Sequence, residues 1–260
     1  MPDVGLLRAD DQAAGLRRLF SNRPSPVVAF VSGRDGSGRD GRDGSGRSSL
    51  LVRAAASLAR SGQRVIVVDE NSGNSNAMST LRIKGAGDLL DAASGRVPLQ
   101  RLLNEVEPHL WVVRAEKAAM ALRAEAPGAA ETAKSLIEPL CAEANFVLLD
   151  SCVHENGHLS MLSARATHMV VVVAARSDAI TNAYTVIKRL AQERGREGFH
   201  MVITRARSEA DAAGIFNNVR RTAHQHLGVR VDYLGNYPIP ETADLADSLQ
   251  GGLLFAPSFL

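Results

Sequence analysis

Short apolar runs without polar alternation recur along the chain, separated by segments of helical composition. Such runs are typical of strands buried on both faces. The alternation therefore predicts an α/β fold with a doubly wound, mainly parallel sheet and helices on both faces. Ligands of such sheets bind at the C-terminal ends of the strands. The predicted strands are 26–32, 64–69, 110–113, 146–150, 169–174, 201–204 and 229–234.

Helical composition fills most intervals between these strands. Gly62 supplies a stop for one helix, and Gly95 with Pro98 divides another helical region in two. An N-terminal helix, capped by Asp10 or Asp11, continues to about Phe20. The predicted helices are 11–20, 48–60, two pieces within 86–105, 131–144, 178–194 and 208–227.

Composition sets the class and the expected compartment of the protein. Its 260 residues are 45% hydrophobic and 22% charged, as in an ordinary globular protein. Two cysteines, Cys141 and Cys152, do not make a secreted disulfide framework, which favours a reducing cytoplasm. No apolar run approaches the roughly 18 residues of a membrane span, and the N-terminus lacks a signal-peptide pattern. The net charge of +2 gives no strong indication of a nucleic-acid partner.

The loop after the first strand contains a tandem duplication, because Gly33–Arg39 and Gly41–Arg47 both read GRDGSGR. Only the second copy leads directly into a helix, through Ser48 and Ser49. Its spacing matches the phosphate-loop pattern G-x-x-x-x-G-K-[ST], with arginine in place of lysine. Glycines let backbone N–H groups converge on phosphate oxygens, and the helix N-terminus adds partial positive charge. The second copy therefore predicts a site for a nucleotide phosphate.

Two other interpretations use the same residues. A loop rich in Gly, Ser and Arg can be flexible and bind no ligand. Alternatively, Gly44-Ser-Gly46-x-x-Ser49 approximates the dinucleotide fingerprint G-x-G-x-x-G, with Asp69 at the end of the next strand. Serine in place of the third glycine counts against this second interpretation, and the basic, serine-rich loop fits a triphosphate better.

Two aspartates follow apolar strands at the predicted ligand edge of the sheet. Asp69 ends RVIVVD, and Asp150 ends FVLLD. Carboxylates there can hold the water shell of Mg²⁺ opposite a phosphate loop, although either could instead cap a helix or lie in a surface turn. His154–His158 (HENGH) also matches the zinc motif H-E-x-x-H. Because Asn156-Gly157 lies inside the motif, we interpret it as a chance match.

Several segments, in order, carry a family resemblance. The glycine loop is followed by VIVVDE, FVLLD and VVVVAARSDAITNAYTVIKRL, which together resemble the MinD/ParA class of P-loop ATPases. The N-terminal DQAAGLRRLF resembles the DQAxxLR segment of the flagellar branch, the FlhG/FleN-type regulators of flagellar number and placement. The resemblance covers nearly the whole chain. It implies an N-terminal partner-binding helix in residues 1–25 and a MinD-like P-loop NTPase domain in residues 26–260.

Partners are implied by the same resemblance. They include an FlhF-type, signal-recognition-like GTPase contacted through residues 10–20, a transcription activator of flagellar genes, flagellar C-ring proteins, and a second copy in an ATP-dependent homodimer. The implied GTPase-contacting helix contains Asp11, Gln12, Leu16 and Arg17.

The resemblance also implies ATP and Mg²⁺ as cofactors. Asp69, Asn71 and Asp150 occupy the catalytic positions, and Ser48 with the two aspartates occupies the Mg²⁺ positions. The implied nucleotide-binding residues are Arg42, Gly44, Gly46, Arg47, Ser48, Ser49, Thr204 and Arg205.

The chain departs from the family pattern where the implied chemistry lies. Arg42 and Arg47 stand at the two family lysines, and no lysine precedes Lys84. Arginine is a bulkier, planar fork that does not reproduce a compact ammonium. Asn71 replaces the aspartate that orients the attacking water, and an amide cannot act as that base. Thr204 stands where the family reads adenine with asparagine.

These departures favour a cytoplasmic regulator of flagellar number and biosynthesis that acts by binding partners, with hydrolysis weak or lost. The tail GGLLFAPSFL lacks the basic amphipathic helix with which this class binds membranes, so polar or membrane association would come through partners. The alternative is a competent ATPase switch of the same class, including a DNA-partitioning protein. Its arginine-rich first 60 residues would then permit salt-sensitive DNA contact.

Overall fold

The described part of the chain contains a single eight-stranded sheet. The computed structural model describes residues 25–33, 45–72, 76–85, 87–123, 126–151, 153 and 158–237. The predicted N-terminal helix and most of the duplicated glycine loop lie outside these residues. The strands are β1 (Val27–Val31), β2 (Val65–Asp69), β3 (Asn104–Glu107), β4 (Leu110–Arg114), β5 (Phe146–Asp150), β6 (His168–Ala174), β7 (Gly198–Thr204) and β8 (Arg230–Tyr237).

The strand order is β3-β4-β2-β5-β1-β6-β7-β8. Each neighbouring pair is parallel except β3 with β4. The central strands are buried along their whole length because helices cover both faces of the sheet. The predicted doubly wound, mainly parallel fold is thus confirmed.

Helices connect most of these strands and divide the core into two layers. One layer lies under α1 and α2, and the other lies under the remaining helices on the opposite face. Within the described residues, no helix is both long and apolar enough to cross a lipid bilayer. The helices are α1 (Arg47–Arg60), α2 (Ala77–Thr80), α3 (Leu89–Ala93), α4 (Leu99–Leu102), α5 (Glu116–Ala121), α6 (Ala129–Glu143), α7 (Met161–Ala164), α8 (Ser177–Arg194) and α9 (Glu209–Leu227).

A buried carboxylate joins two of the short helices. Asp88 is 1% exposed and accepts hydrogen bonds from the backbone N–H groups of Leu90, Lys117 and Ala118 at 2.9–3.0 Å. It thereby caps α3 and also satisfies N–H groups in the first turn of α5. This explains how helices too short to be stable alone keep fixed positions beside the sheet.

Several short elements were not predicted. The predicted helical region 86–105 was wrong at its end, because Asn104–Glu107 forms β3 and pairs antiparallel with β4. Its sequence, NEVE, has little apolar character, and pairing with a neighbouring strand decides its conformation. The strands β7 and β8 are also longer than predicted, and α2, α5 and α7 were missed.

Candidate functional site

The candidate site lies where β1, β2 and β5 end. These strands are neighbours and parallel, so their C-terminal ends meet at one edge of the sheet. Asp69 and Asp150 are register partners at this edge, and Asp150 is also the partner of Phe30 in β1. The two carboxylates that the sequence assigned to the ligand edge therefore lie side by side.

The helix that follows the glycine loop begins at this edge. Gly46 precedes α1 with a left-handed φ of 74°, a conformation that glycine adopts without strain. The first turn of α1 contains no acidic side chain, so nothing there offsets the partial positive charge of the helix end. Ser48 is buried in this turn and Ser49 is half-buried. Such a helix end suits a phosphate group.

Arg47 fills the space between the helix end and the carboxylates. Its side chain is 9% exposed, and its Nε donates to Oδ1 of Asp150 at 2.8 Å. Its two terminal nitrogens donate to Oγ of Ser32 at 3.2 Å and to Oδ1 of Asn71 at 3.0 Å. All three guanidinium nitrogens are therefore engaged by residues of this chain, which fixes the orientation of the planar group.

Hydrogen bonds occupy every carboxylate oxygen of the two aspartates. Oδ2 of Asp150 accepts from the backbone N–H of Ala77 at 3.1 Å, while Oδ1 is bonded to Arg47. Oδ2 of Asp69 accepts from the N–H of Met78 at 2.8 Å, and Oδ1 accepts from the N–H of Asn71 at 3.0 Å and its side-chain amide at 3.3 Å. The first turn of α2 thus binds both carboxylates.

This arrangement does not fit Mg²⁺. A Mg²⁺ ion requires several oxygen ligands in near-octahedral geometry, usually including waters held by carboxylates. Here Asp69 and Asp150 are 1% and 0% exposed, and their oxygens already accept N–H groups. Within the described stretches, no cluster of three or more His, Cys, Asp or Glu residues suits a metal ion.

Burial beside a second carboxylate perturbs the titration of Asp69. Burial, and secondarily the charge of Asp150, raises the pKa of Asp69 to about 6, although hydrogen bonds from Met78 and Asn71 oppose the shift. Arg47 pairs with Asp150, whereas the oxygens of Asp69 accept hydrogen bonds from Met78 and Asn71. A proton on Asp69 relieves the remaining repulsion near and below pH 6.

Two predicted nucleotide-binding residues, Thr204 and Arg205, lie at the C-terminal end of β7, near the start of α1. Thr204 is fully buried, and its hydroxyl donates to the carbonyl of Ser45 at 2.8 Å, so it ties β7 to the start of α1. Arg205 follows with a left-handed φ of 60° and is exposed. Gly33 approaches α8 so closely that a Cβ there would lie 2.7 Å from the carbonyl carbon of Asn182. These contacts hold the two ends of the glycine loop.

Sequence reasoning missed several contributors to the site. Ser32 ends the first apolar run and contacts Arg47, which its place at the ligand edge could have indicated. Glu70 is 2% exposed and accepts from the hydroxyl of Ser160 at 2.6 Å, joining the segment after β2 to the segment after β5. The first turn of α2 was also missed, although Asn76 and Ser79 form a capping box there.

Some predicted residues lie outside the described part of the chain. These are Arg42 and Gly44 of the glycine loop, most of the HENGH segment, and the N-terminal residues Asp11, Gln12, Leu16 and Arg17.

Curated relatives of similar sequence carry names from flagellar biology. The chain is 22% identical over 227 residues to the antiactivator FleN of Pseudomonas aeruginosa, which covers 87% of this chain and 78% of that protein. It is 21% identical to the flagellum site-determining protein YlxH of Helicobacter pylori, covering 84% of this chain and 72% of that protein. No protein-family model matches the chain.

Solved structures of similar fold are MinD and ParA-type proteins. The MinD cell division protein of Aquifex aeolicus superposes with a TM-score of 0.65 at 17% identity, over 90% of this chain and 99% of that one. A variant of Cyanothece McdA in complex with ATP gives 0.65 at 14% identity, over 90% and 98%. Pyrococcus horikoshii MinD with Mg-ADP gives 0.60 at 17% identity, over 88% and 98%.

Proposed function

Because the chain belongs to the MinD/ParA class of P-loop ATPases, in its FlhG/FleN-type branch, we propose that it regulates flagellar number and flagellar biosynthesis. It does so from a MinD-like scaffold by binding partner proteins in the cytoplasm, with nucleotide hydrolysis weak or lost. The names of its relatives, an antiactivator and a flagellum site-determining protein, support the biological role.

The observation that carries the loss of hydrolysis is the pairing of Arg47 with Asp150. A competent site needs a cation free to meet phosphate and carboxylates free to hold the Mg²⁺ water shell. In this chain the cation and the carboxylate bind each other, and Asn71 completes the contact with an amide. Even if these contacts opened, the attacking water would lack a base, because the amide of Asn71 cannot accept its proton.

Nucleotide binding is then weak and insensitive to Mg²⁺. The N-terminus of α1 still attracts phosphate, but a bound triphosphate must compete with Asp150 for the Arg47 guanidinium. Structures of class members contain ATP or Mg-ADP, which supports a retained nucleotide site in this chain.

Partner binding is assigned to residues 1–25, with residues 26–260 as the NTPase-like domain. The DQAxxLR resemblance supports contact with an FlhF-type GTPase through residues 10–20, and the same branch supports contacts with C-ring proteins or a transcription activator. The test is stimulation of the GTPase by the full chain. The double variant Gln12→Ala/Arg17→Ala should abolish the stimulation. A GTPase rate that this variant stimulates as strongly as the wild-type chain does would refute the assignment.

The nucleotide half of the proposal is tested with a fluorescent ATP analogue, titrated with and without Mg²⁺. We expect Mg²⁺ to change the affinity of the wild-type chain by less than about threefold, since the carboxylates are occupied. Arg47→Lys/Asn71→Asp restores the family residues and should strengthen the Mg²⁺ effect to about tenfold or more. Arg60→Lys, at the exposed end of α1, is the matched control. Turnover by the wild-type chain at rates typical of the class would refute the proposal and favour a competent switch.

A further inference from the structure

A second candidate surface lies at the far edge of the sheet. Among the described strands β8 is the last, so only one of its two edges is paired there. An unpaired edge presents N–H and C=O groups to which another strand can be added. The sequence of β8, RVDYLGNY, contains no proline that would block such pairing.

A groove follows the first half of this strand. It has a volume of about 990 Å³ and lies between the start of β8 and the second half of α9. The helix packs on the sheet through Ala212, Phe216 and Val219, which leaves Asn217 and Asn218 exposed on the groove side. Amide side chains in such a position can bond to the backbone of an extended chain.

Positive charge dominates the groove. Arg220, Arg221 and Arg230 line it and are exposed, whereas Asp232 is the one carboxylate among its described lining residues. Arg230 pairs with Asp232 at 3.0 Å, and the guanidinium of Arg220 lies 5.4 Å above the ring of Phe216. Because Asp232 offsets Arg230, the charges of Arg220 and Arg221 remain in excess among the described lining residues. The groove is therefore complementary to an acidic segment.

We propose that this groove binds an extended, acidic segment of a partner protein, which adds a strand to the outer edge of β8. Backbone hydrogen bonds would supply affinity for any extended segment, and the arginines would favour segments with acidic side chains. The groove begins at the N-terminal end of β8, whereas the candidate nucleotide site lies at the C-terminal ends of β1, β2 and β5. The inference therefore goes beyond the proposed function and does not depend on it.

The probe is a fluorescein-labelled peptide of alternating Glu and Val, titrated against the full chain by anisotropy. We expect saturable binding that weakens with salt, and no binding of a matched Lys-Val peptide. Two further Glu-Val peptides carry N-methyl groups, one on the odd-numbered residues and the other on the even-numbered residues. Only alternate N–H groups of a strand point toward its neighbour, so one methylated peptide should lose binding while the other retains it.

Variants of the chain locate the binding. Arg221→Glu/Arg230→Glu should weaken the Glu-Val peptide by about tenfold or more, because both side chains are exposed in the groove. Lys188→Glu reverses one charge at an exposed position of α8, outside the groove, and should change affinity by less than about twofold. An unchanged thermal midpoint verifies that the variants fold.

Four outcomes would overturn the proposal. The first three are absence of binding to the wild-type chain, equal binding of both N-methylated peptides, and equal weakening by the Lys188→Glu control. Concentration-dependent dimerisation that Arg221→Glu/Arg230→Glu abolishes would also overturn it, because the occupant would then be a second copy.

Discussion

Replacing Arg47 with methionine is expected to destabilise the fold by about 3–5 kcal/mol, because it removes one partner of a buried ion pair. The Arg47 side chain is 9% exposed and the Asp150 side chain is 0% exposed, so water cannot replace the lost cation. The substitution also removes donors to Ser32 and Asn71. Methionine keeps an unbranched, helix-compatible side chain, so the effect of volume is small.

The assay is urea unfolding followed by circular dichroism, within a double-mutant cycle. Arg47→Met/Asp150→Asn should recover most of the loss, to within about 1–2 kcal/mol of the wild type, since neither partner is then charged. Arg96→Met is the matched control. Arg96 pairs with Asp91 at 3.1 Å but is 65% exposed, so its loss should cost less than about 1 kcal/mol.

If Arg47→Met costs no more stability than Arg96→Met, the buried ion pair does not stabilise the fold as expected. If the double variant is as unstable as the single one, the cost comes from packing rather than from an uncompensated charge. In either case the lack of fit for Mg²⁺ would lose its main support.

Three other substitutions test separate parts of the structure. Burial, followed by the charges of His200 and Arg196, lowers the pKa of His168 to about 4. The folded protein therefore loses stability as pH falls from about 6.5 through 4. The raised pKa of Asp69 has the opposite effect on stability over about pH 4–6. Burial also lowers the pKa of His200, which acts in the same direction as His168, so wild-type stability should rise over this range. Asp69→Asn should show a larger rise, by about 2–3 kcal/mol more than the wild type from pH 4 to 6.5 in urea unfolding at each pH. Asp88→Ala should cost about 3 kcal/mol in the same assay, because it leaves three backbone N–H groups without their acceptor. Gly33→Ala should lower the thermal midpoint by several degrees because its Cβ would meet the backbone of α8, whereas Gly214→Ala, with open space around it, should not lower it.

Much of the fold could be predicted because local pattern and tertiary environment agree. Continuous apolar runs such as FVLLD become central strands because both faces of the sheet are covered. The predicted helices that flank them were correct to within a few residues. Elements of four residues, such as α2 and β3, carry too few residues for a periodic signal, and their neighbours decide their form.

Pairs of residues distant in sequence were harder to predict. His168 and His200 are far apart in sequence, yet β6 and β7 place their ring centroids 5.6 Å apart in a buried position. Burial is the main reason that the pKa of each falls. No periodicity within either strand indicates this pair, because strand adjacency is a property of topology.

The candidate site shows the same division. Local sequence patterns were sufficient to predict the class of fold, the place of the glycine loop, and arginine where the family has lysine. The partner of that arginine depends on the tertiary structure, because Arg47 and Asp150 are 103 residues apart and meet only when β5 lies between β1 and β2. In that dry position a cation and a carboxylate satisfy each other rather than solvent. Local sequence specifies which side chains reach the ligand edge, whereas strand order and burial specify their partners.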